Sequence, residues 1–92
     1  MLKNKVVFVT GSTHGIGKEI VLLFAHEGAN VVVTYFKDKK AADKVLKECK
    51  ELGSPNPILV KLNVKNTGSI KDAVKEVVSK FKQIDILVNN AG

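Results

Sequence analysis

A glycine-rich run near the start of the chain has the residue types and spacing of a phosphate-binding turn. The run Thr10–Gly17 carries glycines in the pattern Gly-x-x-x-Gly-x-Gly, follows the apolar segment Val6–Val9 and opens an apolar-periodic segment, Ile16–Ala25. Glycines let the backbone approach a pyrophosphate, which then lies against the free N–H groups of a helix N-terminus. A strand, a glycine-rich turn and a helix in this order indicate a dinucleotide site. The alternative is a tight strand–helix turn that binds nothing.

A second polar run, Asn89–Gly92, follows the strand-like segment Ile84–Val88. The elements that must position both runs alternate regularly as β-α-β-α-β-α-β, which predicts an α/β fold with an open, parallel, doubly wound sheet. The expected strand order is 3-2-1-4, with a ligand crevice at the carboxyl ends of strands 1 and 4. The predicted strands are Lys5–Thr10, Asn30–Tyr35, Ile58–Val64 and Ile84–Val88, and the predicted helices are Ile16–Glu27, Lys39–Leu52 and one that starts at 67–70.

Apolar spacing predicts which side of each helix faces the sheet. Gly28 is expected to end the first helix in a left-handed conformation, and Thr67 or Ser69 to cap the third. The residues expected to be buried are Ile16, Ile20, Leu23 and Phe24 on the first helix, Ala42, Val45, Leu46, Cys49 and Leu52 on the second, and Ile70, Val74, Val77 and Phe81 on the third.

The two polar runs resemble the hallmarks of the short-chain dehydrogenase/reductase family. Thr10–Gly17 matches its cofactor turn, and Asn89–Gly92 matches the Asn-Asn-Ala-Gly that follows its fourth strand. The resemblance covers the whole chain, and it implies that residues 1–92 are the N-terminal half of a dinucleotide-binding Rossmann domain whose C-terminal catalytic half is absent. Among members, the chain is most similar to 3-oxoacyl-acyl-carrier-protein reductases, with sugar dehydrogenases as the alternative.

The resemblance implies a set of cofactor-binding residues. Asn63 and Val64 match the position that contacts adenine, where many members carry Asp; the amide oxygen of Asn can also accept a hydrogen bond. Asn89 is expected to tie neighbouring strands together. The implied set is Gly11, Ser12, Thr13, His14, Gly15, Ile16 and Gly17, then Tyr35, Phe36 and Lys37, then Asn63 and Val64, and finally Asn90, Ala91 and Gly92.

Charge at the end of the second strand bears on the choice of cofactor. Dehydrogenases that use NAD place a carboxylate there for the ribose hydroxyls. Tyr35 occupies that position, Lys37 follows, and His14 lies where NADP-using members often carry a basic residue, although Asp38 is close by. NADP(H) is therefore favoured over NAD(H), while the alternative for Lys37 is a solvated residue at a helix start.

The proton-transfer residues of the family, a Tyr-x-x-x-Lys pair with an upstream Ser, do not occur in this chain. Tyr35 and Lys39 reproduce the spacing, but they fall at the adenosine end, so we expect no catalytic residue here and no activity of the chain alone. Two alternatives to the reductase portion remain, a non-catalytic nucleotide-binding module and an inert fragment. Self-association is expected through the edge of the fourth strand or a bare sheet face.

Composition excludes several other classes. The net charge is +6, all fifteen cationic residues are lysines, and they are scattered without an aromatic ladder, which argues against nucleic acid. No apolar run is long enough to span a membrane. The single Cys49 indicates a reducing, cytoplasmic compartment and a small core residue rather than a nucleophile. Two histidines, His14 and a structural His26 near a helix end, do not make a metal site.

Overall fold

The computed structural model describes residues 2–90 and places a parallel sheet between helices. The strands are β1 (Val6–Val9), β2 (Asn30–Tyr35), β3 (Ile58–Lys61) and β4 (Ile86–Val88), and the helices are α1 (Gly15–His26), α2 (Lys39–Leu52) and α3 (Thr67–Phe81). The strand order is β3-β2-β1-β4, with every pair parallel. The predicted α/β fold and its 3-2-1-4 order are confirmed.

Both faces of the central strands are buried, which is why their sequences are continuous apolar runs rather than alternating ones. Val7 and Val9 of β1 face α1 and α2, together with Val31 and Val33 of β2. The intervening side chains face α3 on the other side of the sheet; they are Val6 and Phe8 of β1 and Val32 of β2. None of the helices in residues 2–90 combines the length and the apolar character that a membrane crossing requires.

Helix α1 follows the predicted face in part. Its buried residues are Gly17, Val21 and Ala25, whereas Ile16 is 72% exposed and Leu23 is 64% exposed. Val21 and Ala25 belong to the core cluster, and the predicted Ile20 and Phe24 are partly buried against it. Gly28 follows the helix with a φ of 89°, as predicted.

Helices α2 and α3 follow the predictions in part. Ala42, Val45 and Cys49 are buried on α2, but Leu52, the last residue of the helix, is exposed. On α3 the sheet-facing residues are Ala73 and Val77, with Phe81 partly buried against the same cluster. Ile70 and Val74 are exposed, contrary to the prediction, because the small Ala73 takes the position against the sheet.

The third strand ends earlier than predicted, and the cap of α3 is a different residue. The N–H of Leu62 still bonds to the carbonyl of Tyr35 at 2.7 Å, but the chain then turns, and the N–H of Asn66 bonds to the carbonyl of Asn63 at 3.0 Å. Asn66 caps α3, accepting from the N–H of Ser69 at 3.1 Å. The Ser69 hydroxyl instead accepts from the N–H of Asn63 at 2.9 Å, so it holds the turn rather than capping the helix.

Candidate functional site

A cleft of about 720 Å³ opens where the carboxyl ends of β1, β2 and β3 meet. Nine of the predicted site residues line it: Gly11, Thr13, His14, Tyr35, Phe36, Lys37, Asn63, Val64 and Asn90. Thr34, Asp38, Leu62 and Lys65 complete the lining. Ser12, Gly15, Ile16 and Gly17 lie next to the cleft without lining it, and Ala91 and Gly92 lie outside the described residues.

The N-terminus of α1 forms one end of the cleft and is open to an anion. Its N-cap residue, His14, makes no side-chain capping bond, and the first turn of the helix carries no acidic residue. By contrast, Asp38 and Asn66 cap α2 and α3 through their side chains. The first N–H groups of a helix have no partner within the helix, so those of α1 can bind a phosphate group.

The glycines of the turn have two distinct physical roles. Gly11 and Gly15 adopt φ values of 62° and 55°, a left-handed conformation that costs L side chains energy. A Cβ built on Gly15 would meet nothing within 4 Å, so open space lies beside the turn. A Cβ on Gly17 would overlap the carbonyl oxygen of Gly11 and lie 2.6 Å from Nδ2 of Asn90. Gly17 therefore permits the close approach of α1 to the turn.

Side-chain hydrogen bonds tie the turn to the end of β2. The N–H of Thr34 donates to the hydroxyl of Ser12 at 2.8 Å, and the Thr13 hydroxyl donates to the Thr34 carbonyl at 2.8 Å. The Thr34 hydroxyl donates to the carbonyl of Val9 at 2.9 Å. Ser12 is fully buried, so its hydroxyl holds the turn to β2 and does not face the cleft.

The polar residues after β4 join the same turn from the other side. Thr10 Oγ1 lies 3.3 Å from Oδ1 of Asn89, which ties the ends of β1 and β4 as expected of Asn89. The N–H of Asn90 donates to the hydroxyl of Thr10 at 2.9 Å, and its Nδ2 donates to the carbonyl of Gly11 at 3.2 Å. Asn90 thus lines the cleft and also orients the first glycine of the turn.

Lys37 and Asp38, side chains of opposite charge, both line the middle of the cleft. Lys37 places its ammonium 5.6 Å from the centre of the Phe36 ring. The nearby Asp38 accepts from the N–H of Ala41 at 3.0 Å and lies 3.7 Å from Nε2 of His14. Both side chains are more than half exposed, so this contact is weak.

The third part of the cleft follows β3. Leu62 and Val64 present apolar surface, and Oδ1 of Asn63 accepts from the N–H of Lys65 at 3.1 Å. Leu62 and Lys65 were not predicted from the sequence. Their place depends on the turn at 63–66, and the Asn63-x-x-Asn66 spacing, typical of turn residues, is the signal that could have indicated it.

Tyr35 and Lys39, which have the spacing of the family's catalytic pair, do not form such a pair in this structure. Tyr35 lines the cleft, whereas the ammonium of Lys39 is exposed and pairs with the carboxylate of Asp43 at 3.2 Å, one helical turn along α2.

Burial, and to a smaller extent the charge of Glu48, raises the pKa of the Cys49 thiol from 9.0 to about 12. Cys49 is therefore a packed thiol and not a nucleophile. Across residues 2–90 we find no group of three or more His, Cys, Asp or Glu side chains that could hold a metal ion.

Comparison with known proteins agrees with this geometry. Residues 5–92 match the family model described as short chain dehydrogenase. The 3-oxoacyl-[acyl-carrier-protein] reductase FabG of Staphylococcus epidermidis is 44% identical over 89 residues, covering 97% of this chain and 36% of the relative. The FabG of Thermotoga maritima is 45% identical over 92 residues, covering 99% of this chain and 36% of the relative. The chain thus spans about a third of the length of these relatives.

Solved structures give the same result. A short chain dehydrogenase from Burkholderia cenocepacia, crystallised in complex with NADP, superposes with a TM-score of 0.92 at 35% identity, covering 99% of this chain and 37% of that one. A hydroxysteroid dehydrogenase from Escherichia coli superposes with a TM-score of 0.87 at 35% identity, covering 99% and 38%. Together with the family match over residues 5–92, these likenesses establish that the chain belongs to the short-chain dehydrogenase family.

Proposed function

We propose that this chain is the cofactor-binding portion of an NADP(H)-dependent oxidoreductase that reduces a carbonyl group of a 3-oxoacyl thioester. The observation that carries the proposal is the cleft, which joins an uncapped helix N-terminus to a strand end where Tyr35 takes the place of the family's ribose-binding acid and Lys37 follows. The substrate class comes from the names of the FabG relatives, of which this chain covers about a third.

The N-terminus of α1 is the proposed pyrophosphate subsite. Its N–H groups supply donors and a partial positive charge, and the open space beside Gly15 leaves room for the phosphates. Asn90 and Thr13 shape the rim of this subsite through their bonds to the turn and to β2. The contacts of Ala91 and Gly92 with the cofactor, implied by the family resemblance, stay a prediction.

The end of β2 is the proposed subsite for the 2′-phosphate. Lys37 lines the cleft there, His14 lies at the turn, and Lys65 lines the part of the cleft that follows β3. The carboxylate of Asp38 would repel a phosphate dianion, but it is already held by the N–H of Ala41 and the imidazole of His14. This balance of charge favours NADP(H) over NAD(H).

The cofactor would supply the hydride, and the residues of this chain would bind and orient it. Tyr35 and Lys39, which have the spacing of the family's catalytic pair, do not form such a pair in the described residues, so we assign no catalytic acid to the chain. A cytoplasmic location is proposed with the function, since the one cysteine is a buried free thiol.

Binding measurements test the cofactor proposal. We expect calorimetry to give NADPH a dissociation constant in the high-micromolar range, on the order of −5 kcal/mol, and NADH a weaker one. Lys37→Ala should reduce the preference for NADPH about fivefold, the effect of roughly 1 kcal/mol for an exposed charge pair. Lys71→Ala, which removes a lysine from exposed α3 away from the cleft, is the matched control. Equal affinity for NADPH and NADH would contradict the choice of cofactor, and no binding of either would favour the inert-fragment alternative.

We also propose that the chain self-associates through the β4 side of the sheet. Within residues 2–90, β4 pairs with β1 alone, and Leu87 on β4 is 65% exposed. Exposed Ile70, Val74 and Val78 recur every four residues along α3. Leu87 shares the α3 face of the sheet, because it is in register with Phe8. Light scattering at micromolar concentration should show a dimer or larger species, and a clean monomer would contradict the proposal.

A further inference from the structure

The part of the cleft after β3 is left for the purine base of a bound dinucleotide. In doubly wound folds the pyrophosphate lies at the first helix N-terminus and the ribose at the end of the second strand. The remaining wall is formed by residues 62–65, where Leu62 and Val64 offer apolar surface to a flat ring. Asn63 is the neutral polar side chain of this wall, so its amide is the group placed to read the edge of the base.

The amide of Asn63 is held in a defined orientation. Its Oδ1 accepts from the N–H of Lys65 at 3.1 Å, which identifies the oxygen end of the amide. Its main chain is fixed as well, because its N–H donates to the Ser69 hydroxyl at 2.9 Å and its carbonyl accepts from Asn66 at 3.0 Å. Among residues 2–90, no acceptor lies within hydrogen-bond distance of Nδ2 of Asn63. The amide therefore offers a ligand two N–H donors.

We propose that Asn63 makes this base subsite a hydrogen-bond donor site, which binds 6-oxopurines as readily as adenine. The inference rests on the proposed function, since it assumes that a purine dinucleotide occupies the cleft. Adenine carries an amino donor at C6, whereas hypoxanthine carries a carbonyl acceptor there, and both carry an acceptor at N7. The Nδ2 group can donate to N7 of either base, or to the carbonyl of hypoxanthine. A carboxylate at position 63 could only accept, so it would favour the amino group and repel the carbonyl.

The variant Asn63→Asp exchanges donor for acceptor at one position. It retains an oxygen for the N–H of Lys65, so the turn at 63–66 keeps its hydrogen bond. Asn56→Asp is the matched control, because it adds the same charge in the exposed loop before β3, outside the cleft. The ligands are NADP⁺ and its hypoxanthine analogue, whose bases differ at C6, where a carbonyl replaces the amino group, and at N1, which carries a proton in hypoxanthine.

The measurement is the ratio of the two dissociation constants, obtained by calorimetry for each protein. For the wild type and Asn56→Asp we expect the dissociation constants of the two ligands to lie within about threefold of each other. For Asn63→Asp we expect a preference for NADP⁺ of about tenfold, because the carboxylate and the carbonyl of hypoxanthine are both acceptors and neither finds a donor in the other. Preference for NADP⁺ by about tenfold or more in the wild type would overturn the inference alone, because the second lone pair of Oδ1 would then read the amino group. The wild-type ratio decides this even if Asn63→Asp fails to fold. Binding of neither ligand to the wild type would refute the cofactor proposal and this inference with it.

Discussion

Replacement of Gly17 by alanine tests whether the close approach of α1 to the turn is what shapes the cleft. The new Cβ would overlap the carbonyl oxygen of Gly11 and lie 2.7 Å from its carbonyl carbon. These are backbone atoms and cannot rotate away, so α1 or the turn must shift. Such a shift also strains the hydrogen bond from Nδ2 of Asn90 to that carbonyl, now 3.2 Å long.

The expected cost follows from these two effects. Overpacking a well-packed contact costs about 1–3 kcal/mol, and loss of one hydrogen bond adds about 1 kcal/mol. Gly17→Ala should therefore lower the free energy of unfolding by roughly 2–4 kcal/mol. The assay is urea unfolding followed by circular dichroism, with the midpoint compared at an unchanged slope. The cleft should also lose its affinity for NADPH, because the N–H groups of α1 move relative to the turn.

Two further glycine variants separate this contact from the general effect of the substitution. Gly15→Ala meets no atom within 4 Å but has a φ of 55°, so it should cost about 1 kcal/mol through backbone strain alone. Gly68→Ala lies in the first turn of α3, 3.2 Å from Oδ1 of Asn66, and should be close to neutral. If Gly17→Ala is destabilised no more than Gly15→Ala, the reasoning about close approach is wrong.

Three other predictions concern stability and reactivity. The N–H of Val6 donates to Asp85 and lowers the pKa of that carboxyl below 3.8. At pH 7 the urea midpoint of the wild type should therefore exceed that of Asp85→Asn, and this difference should disappear as the pH falls below 3.8 through the lower folded pKa. A difference that does not depend on pH would contradict this prediction. At pH 8, iodoacetamide should label Cys49 on the order of a thousandfold more slowly in the folded chain than in urea, because the pKa of the Cys49 thiol is about 12 in the folded chain rather than 9.0. Equal labelling rates would show that the thiol is accessible. Asn66→Ala should lower the free energy of unfolding by about 1 kcal/mol through loss of the cap on Ser69, and an unchanged urea midpoint would argue against that role.

The architecture could be predicted because local signals and global fold agree. Val6–Val9 and Val31–Val33 are apolar without interruption, which a strand covered on both faces requires. The helix faces were predicted less well. Gly17 is buried against the turn, and Ala25 and Ala73 pack in the two core clusters on either side of the sheet. All three are small, and a periodicity that weights large apolar residues does not detect them. Which helix face approaches a sheet depends on tertiary packing, which periodicity within the helix does not contain.

The site divides in the same way. The turn and Asn90 were predictable because glycine spacing and strand position together carry the signal. Lys65 and Leu62 could not be predicted to line the cleft. Their position depends on the turn at 63–66, which the Ser69 hydroxyl holds by accepting from the N–H of Asn63, six residues earlier in the chain. The sequence alone does not tell whether the carboxylate of Asp38 faces the cofactor. In the structure it caps α2 by accepting from the N–H of Ala41 and lies 3.7 Å from Nε2 of His14.

The bonds that Thr34 makes to the glycine-rich turn have a consequence for binding kinetics. Because Ser12 and Thr13 are both bonded to Thr34, this part of the turn is tied to the end of β2 before any ligand arrives. The conformational entropy of ordering the turn is then lost during folding rather than during association. A ligand therefore meets a site that needs little rearrangement, and association is limited by diffusion and orientation rather than by loop closure. The affinity of the cleft is consequently linked to the local stability of β2, since opening of that strand would release the phosphate-binding turn.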